Sequence, residues 1–369
     1  MRIHRNQATF SEIMGAFACV AILIGIIPLF DTLFGDYPLA WLVDGMATYL
    51  LSIFVLPTWT VFHLRFLGRK QAAADYAGRV ATHHWFLDQR AECAIKAATI
   101  SLELGQKPQA EAYADQGLAL TEKFLDRPLI RTYYAMCLDI KATLALEAHQ
   151  YQKAFLLFYQ PLRMKLELPG QIAIFYKNCA WASYKLGNFE EAVSYAEQAL
   201  ALVDHDQVEV RAAAHSLKAL SLIEIGRFEE ALAETTLALA IPASPSLRLT
   251  TCIYRVWAMW LDRQTDEAEK LLATLEPALK LGDSFIYEEL REVRGRICLD
   301  KGQLNKAEEE LREALGGAKA NPAALYLLRQ VAQRRGETSA VQAWREQLLH
   351  RAPESFYAQR VRDEQTPVV

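Results

Sequence analysis

The chain has 369 residues, of which 52% are hydrophobic and 23% charged, and its net charge is −4. With no basic block anywhere, that balance excludes an electrostatic footprint for nucleic acid. The six cysteines (Cys19, Cys93, Cys137, Cys179, Cys252 and Cys298) are widely scattered and never form a CxxC pair. That spacing argues against a disulfide framework or a zinc site, and leaves buried, reduced thiols on helices as the expectation.

From Asn6 to Leu64 there is no Lys or Arg. Two apolar runs fall in this stretch. Ile13–Phe30 is eighteen residues without a charge, and the second run is Met46–Leu64. Each is near the length a bilayer-spanning helix needs. Asp31, Asp36 and Asp44 lie between them, with Tyr37 and Trp41 suited to an aromatic belt. Arg2 and Arg5 precede the first run; Arg65, Arg69 and Lys70 follow the second. Basic flanks mark cytoplasmic ends, so the expected topology is a two-pass hairpin with both ends, and everything after it, in the cytoplasm. Two other arrangements fit the same residues: a buried helical hairpin in water, and one span followed by an interfacial helix. A cleaved signal peptide is disfavoured, because a second run follows and no small-residue cleavage site stands after Phe30. Pro57 would kink the second helix and free a backbone group that wants a neighbouring helix as partner. Residues 66–88 are rich in helix formers and are expected to continue the second span as a juxtamembrane helix, with Arg65, Arg69 and Lys70 near lipid headgroups.

Beyond residue 88 the apolar spacing has the helical period, interrupted by short breaks. Long breaks at Asp126–Pro128, Pro169–Gly170, Asp204–Asp206, Pro242–Pro245, Gly282–Asp283 and Asn321–Pro322 recur about every 40 residues. Ser244–Pro245 and Asn321–Pro322 each pair an N-cap residue with a first-turn proline, and so predict helix starts. A shorter break sits inside each unit: LGNFEEA at Leu186–Ala192 and IGRFEEA at Ile225–Ala231, with degenerate copies ending at Ala110, Ala154, Ala268, Ala307 and Val341. Twelve residues before those seven end points stand Ala98, Ala142, Ala180, Ala219, Val256, Gly295 and Arg329, five of them small.

This pattern resembles the tetratricopeptide repeat (TPR) family, whose unit is about 34 residues of helix–turn–helix with a G-x-[YF]-x-x-A turn. The best copies are Gly187, Phe189 and Ala192, and Gly226, Phe228 and Ala231. The resemblance implies an all-α chain: an α-solenoid of about seven helix pairs over residues 89–353, after a transmembrane hairpin anchor (1–65) and the juxtamembrane helix (66–88), with a C-terminal helix or tail at 354–369. It also implies that the first helix of each pair lines a concave face. In that register the central units present Lys177, Trp181 and Tyr184, then Leu220 and Ile223, then Trp257 and Trp260. Large apolar groups at such positions predict a groove for an apolar or amphipathic segment of a protein partner. Two alternatives stay open: a register one residue off, which would make these groups inter-repeat core, and coverage of the groove by the chain's own Ser355–Val361. The family's carboxylate clamp is not matched, since Trp181, Ala213 and Leu217 stand where its polar ligands belong.

No nucleotide-binding glycine loop, H-E-x-x-H or G-x-S-x-G occurs. His83–His84 point to different helix faces, and Asp204-His205-Asp206 sits where an Asp is wanted as a helix N-cap. No catalytic residue, metal, cofactor, nucleic-acid partner or small-molecule substrate is therefore expected. The architecture, a membrane hairpin followed by cytoplasmic repeats, is similar to the inner-membrane repeat subunit of Pel-type exopolysaccharide machines and, in outline, to HemY-type proteins of haem metabolism. It implies a scaffold at the bacterial inner membrane for soluble and membrane-embedded protein partners, or a docking platform for a soluble metabolic enzyme.

Overall fold

Among the described residues, seven repeat turns share one backbone state. Gly105, His149, Gly187, Gly226, Arg263, Gly302 and Gly336 all have φ between 59° and 88°. Each stands five residues before an end point of the repeat motif, from Ala110 to Val341. In every case a helix ends one or two residues before this residue and another begins two residues after it. The left-handed residue terminates the first helix and turns the chain back on itself, the usual C-terminal helix stop.

The computed structural model describes residues 56–84, 86–277, 284–316 and 321–364. Arg2, Arg5, the run Ile13–Phe30, the acidic loop and the start of the second run lie outside them. Among the described residues every regular element is helical, and no helix is long and apolar enough to cross a membrane. Two helices come first, α1 (Leu56–Phe66) and α2 (Lys70–His83). Seven pairs follow: α3 (Leu87–Glu103) with α4 (Lys107–Thr121), α5 (Pro128–Glu147) with α6 (Tyr151–Tyr159), α7 (Pro169–Leu186) with α8 (Phe189–Leu202), α9 (Val208–Glu224) with α10 (Phe228–Ala240), α11 (Pro245–Leu261) with α12 (Thr265–Leu275), α13 (Ser284–Asp300) with α14 (Leu304–Ala314), and α15 (Pro322–Arg335) with α16 (Thr338–Arg351). A last helix, α17 (Phe356–Asp363), ends the series. The chain divides into two compact units, Met1–Ile140 and Lys141–Val369, with the boundary inside α5.

The small residues of the motif explain how the pairs close. Ala110, Ala154, Ala192, Ala231, Ala268 and Ala307 are 0% exposed, as are their counterparts Ala98, Ala142, Ala180, Ala219 and Val256. A methyl or a hydrogen at the crossing point lets two helix backbones approach closely. Gly295 is the limiting case: a Cβ there would stand 2.6 Å from Leu311 Cδ2 of the paired helix. The degenerate seventh unit breaks the rule, with Arg329 buried instead and paired to Glu364. Ser244 and Asn321 cap α11 and α15, accepting from the Leu247 and Ala324 N–H groups, with Pro at the first turn of each. Asp204 and Asp206 do not cap α9. Its N-cap is Gln207, without a side-chain cap bond, and the Asp204 carboxylate sits instead beside Gly170 at the start of α7.

In unit 1, α2 is a separate helix rather than a continuation of α1. Gly68 (φ +74°) breaks the chain, and the Arg69 N–H donates back to Leu64 O at 2.9 Å. The alanine face of α2 (Ala73, Ala74, Ala77, Ala81) packs on Cys93, Ala94 and Ala97 of α3. Val61 and Leu64 of α1 join that core, while Trp59, Phe62, Phe66 and Leu67 stay open to solvent, Phe66 at 79%. The basic residues expected at headgroups divide. Arg65 and Lys70 both pair with Glu103 of α3, and Arg69 is exposed at the start of α2. Five cysteines are described and all are free thiols; burial pushes the Cys93 thiol up to about 11 and the Cys137 thiol up to about 12.

Candidate binding face

The first helices of the pairs in unit 2 (α7, α9, α11, α13 and α15) pack side by side, each against the next. On α7, Trp181 and Tyr184 are stacked with ring centroids 5.7 Å apart. The Lys185 ammonium lies 4.3 Å above the Trp181 ring. Trp257 of α11 stands under the Arg296 guanidinium of α13, 5.3 Å from its ring centre. These three aromatics are half-buried and packed against the core. Leu220, Ile223 and Trp260 are placed differently: all three are buried within the inter-repeat core, with the Trp260 indole N–H donating to Asp300 at 2.9 Å. Lys177 is half-buried on α7. Of the seven residues the sequence nominates, Trp181, Tyr184, Trp257 and Lys177 thus keep an accessible side.

Charged groups fill the gaps between the rings. Glu292 pairs with Arg296 at 2.9 Å and accepts from Asn321 at 3.1 Å. Burial opposes the Arg296 cation, but Tyr357, Glu292 and Glu224 outweigh it and hold the guanidinium firmly charged. Burial lowers the Lys185 ammonium and raises the Glu224 carboxyl. Glu289 is pushed up to about 7, first by burial, against the pull of Lys185. Its Oε1 accepts from the Tyr254 hydroxyl at 3.1 Å, while its Oε2 is shut off from solvent and has no hydrogen-bond partner. Carboxylates and cations alternate here beside flat aromatic surface. Such a face suits an amphipathic peptide, whose rings can stack and whose charges can pair.

The C-terminal segment occupies part of this face. Ala358 and Val361 of α17 are buried against Leu325, Tyr326 and Leu348. Just before them, Phe356 lies edge-on to Phe189 at 5.0 Å, and Tyr357 accepts from Arg296 at 2.6 Å. Trp181, Tyr184, Phe189, Phe356, Tyr357 and Tyr326 form one unbroken series of ring contacts, none longer than 5.7 Å. Both alternatives open in the sequence are met in part: Leu220, Ile223 and Trp260 are inter-repeat core, and Ser355–Val361 lies over Phe189 and Arg296.

Sequence reasoning missed Lys185, Glu224, Glu289, Glu292 and Arg296. For three of them the signal was present. Counted from nineteen residues before Ala307, Glu289, Glu292 and Arg296 occupy positions 2, 5 and 9, the same inward positions that nominate Trp181 and Trp257. Being charged, they read as a solvated surface. Lys185 and Glu224 stand one position beyond the inward set, where only the packing of neighbouring helices turns them in.

No family profile and no curated protein matches the chain. Solved structures do match in fold. The apo form of RapI superposes with a TM-score of 0.58 at 13% identity, covering 70% of this chain and 95% of that one. A tetratricopeptide repeat protein from Parabacteroides merdae gives 0.50 at 14%, covering 74% and 96%. PilW, a type IV pilus biogenesis factor, gives 0.39 at 18%, covering 62% and 98%. With the seven left-handed turns and the small-residue crossings, the first two of these likenesses establish that the chain has the tetratricopeptide-repeat fold.

Proposed function

We propose that the protein is a membrane-tethered scaffold whose unit 2 holds a segment of a soluble protein partner, and that it acts by binding rather than by catalysis. The observation that carries the reading is the half-buried ledge of Trp181, Tyr184 and Trp257, bordered by Lys185, Glu292 and Arg296. Aromatic and Arg side chains at the centre of a contact commonly dominate its binding energy. The tether is supported by the uncharged runs at Ile13–Phe30 and Met46–Leu64 and by the stripe Trp59, Phe62, Phe66 on α1. Those three residues share one helix face, away from the core of unit 1, where a lipid interface would cover them. On the charge rule, the solenoid lies on the cytoplasmic side of a bacterial inner membrane, and the hairpin docks on membrane-embedded subunits. The resemblance in architecture supports an assembly that makes and exports exopolysaccharide.

Cross-linking in intact membranes, read by mass spectrometry, tests this. Wild type should link to one soluble and at least one membrane protein. Trp181→Ala and Trp257→Ala should each remove the soluble links and leave the membrane links. Soluble links that survive both substitutions would reject the ledge as the binding face.

A further inference from the structure

Helix α17 and the residues that lead into it do two separable jobs. Ala358 and Val361 cover the last helix pair, packing on Leu325, Tyr326 and Leu348, as a terminal helix must if the series is to end in water. The residues ahead of them, Glu354 to Tyr357, reach back instead to positions far away in sequence. The Glu354 carboxylate accepts from the Gln152 N–H at 2.9 Å, at the first turn of α6, where the helix end favours an anion. Phe356 sits on the turn between α7 and α8. An added Cβ on Gly187 would stand 2.5 Å from its Cδ2, so only a glycine leaves room for this ring. Tyr357 accepts from Arg296, which also carries Trp257 beneath its guanidinium. Tyr357 is therefore bound to the ledge assigned to a partner.

We infer that this ledge is a seat for a short helix that opens with an acidic residue followed, two and three positions on, by two aromatics, and that the chain's own Glu354-Ser355-Phe356-Tyr357 is its resident occupant. The inference rests on the scaffold reading and deepens it by giving the partner a chemistry. The pattern comes from the occupant itself. The carboxylate meets a helix N-terminus. Ser355 starts the helix by accepting from the Ala358 N–H at 3.2 Å. The first ring fills the space above Gly187, and the second takes the Arg296 hydrogen bond. The side chains of Glu354, Phe356 and Tyr357 are also held less firmly than Ser355 and the cap behind them. Phe356 and Tyr357 are half-buried and the Glu354 bond is exposed, whereas Ala358 and Val361 are fully buried. Exchange of these three side chains for a partner's leaves Ser355 and the cap in place, a local opening of the kind native proteins sample.

The test uses the full chain in detergent and a labelled peptide of residues 352–364, followed by fluorescence anisotropy. Wild type should bind it weakly, because the seat is filled. Phe356→Ala in the chain should bind it at least about tenfold more tightly, and Glu354→Ala, a surface change that cannot unfold the core, severalfold more tightly. A peptide carrying Phe356→Ala should lose that gain. Gly187→Ala in the chain ejects the resident ring but fills its space, so it should gain nothing. Equal binding to wild type and both released chains overturns the inference. So does full gain with Gly187→Ala, or undiminished binding of the ring-less peptide. If the peptide never binds while Trp181→Ala and Trp257→Ala still erase the partner cross-links, the resident-helix idea falls and the scaffold stands. Cross-links that ignore those two residues remove the scaffold reading itself.

Discussion

Arg263 is the clearest place to perturb the fold, because it carries a side chain through a backbone state that suits glycine. Its φ is +67°, between α11 and α12, and it is exposed. A residue with a Cβ forfeits about 1–2 kcal/mol in the left-handed region. Replacement by glycine relieves that, but loosens the unfolded chain by about 0.4–1 kcal/mol. Arg263→Gly should therefore stabilise unit 2 by about 0.5–1 kcal/mol, the difference between those two effects. The mirror experiment is Gly226→Ala, one repeat earlier. There φ is +80° and an added Cβ meets nothing within 4 Å, so backbone strain is the only new cost. Offset by the stiffer unfolded chain, that change should destabilise by about 0.5–1 kcal/mol. Urea unfolding of the detergent-solubilised chain, followed by tryptophan fluorescence, measures both. With a slope near 3 kcal/mol/M, the midpoints should shift in opposite directions by about 0.2–0.3 M. Hydrogen exchange at the two turns checks that each change is local, since repeat arrays need not unfold in one step. A lower midpoint for Arg263→Gly, or an unchanged one for Gly226→Ala, would show that the left-handed residue does not set the repeat turn.

Two further expectations concern the binding face and the tether. Glu289 binds its proton more tightly when folded, its carboxyl being raised from 4.5 to about 7. The folded state therefore holds more protons than the unfolded state between those values, and stability falls as pH rises through that window. Glu289→Gln should flatten this decline, raising stability at pH 8 relative to wild type by no more than about 3 kcal/mol, with little effect at pH 4; a parallel pH profile would refute the assignment. On α1, Phe62→Ser with Phe66→Ser should leave the helical circular dichroism unchanged, because both rings face away from the core. In nanodiscs containing brominated lipid, a probe on this helix should lose most of its quenching in that double variant, and quenching that persists would detach the stripe from the lipid interface.

Much of this molecule is local, and so was readable in one dimension. The motif G-x-F-x-x-A at Gly187 and Gly226 encodes a backbone angle, a wedge and a close crossing, all within a few residues of one another. Its degenerate copies keep the same five-residue offset and the same left-handed state even where His149 or Arg263 replaces glycine. The proline-led starts of α11 and α15 were legible for the same reason. The binding face was legible only in part. Trp181 and Trp257 announce themselves by size. Trp260, in the same register, is drawn into the core because its indole finds Asp300 forty residues away. Arg296 and Glu292 look like a solvated surface until α17 and α11 are laid against them.

Hydrophobic period, turn chemistry and small-residue spacing by themselves determined the helix pairs and their number, since each is a property of a segment and its immediate neighbours. Only the tertiary structure decided which inward residues stay accessible, and that the chain's own Phe356 and Tyr357 lie beside them, on Phe189 and Arg296. Those outcomes depend on how rotations accumulate from pair to pair across unit 2, bringing Glu354 to Gln152 and Phe356 to Gly187. No single repeat carries that sum.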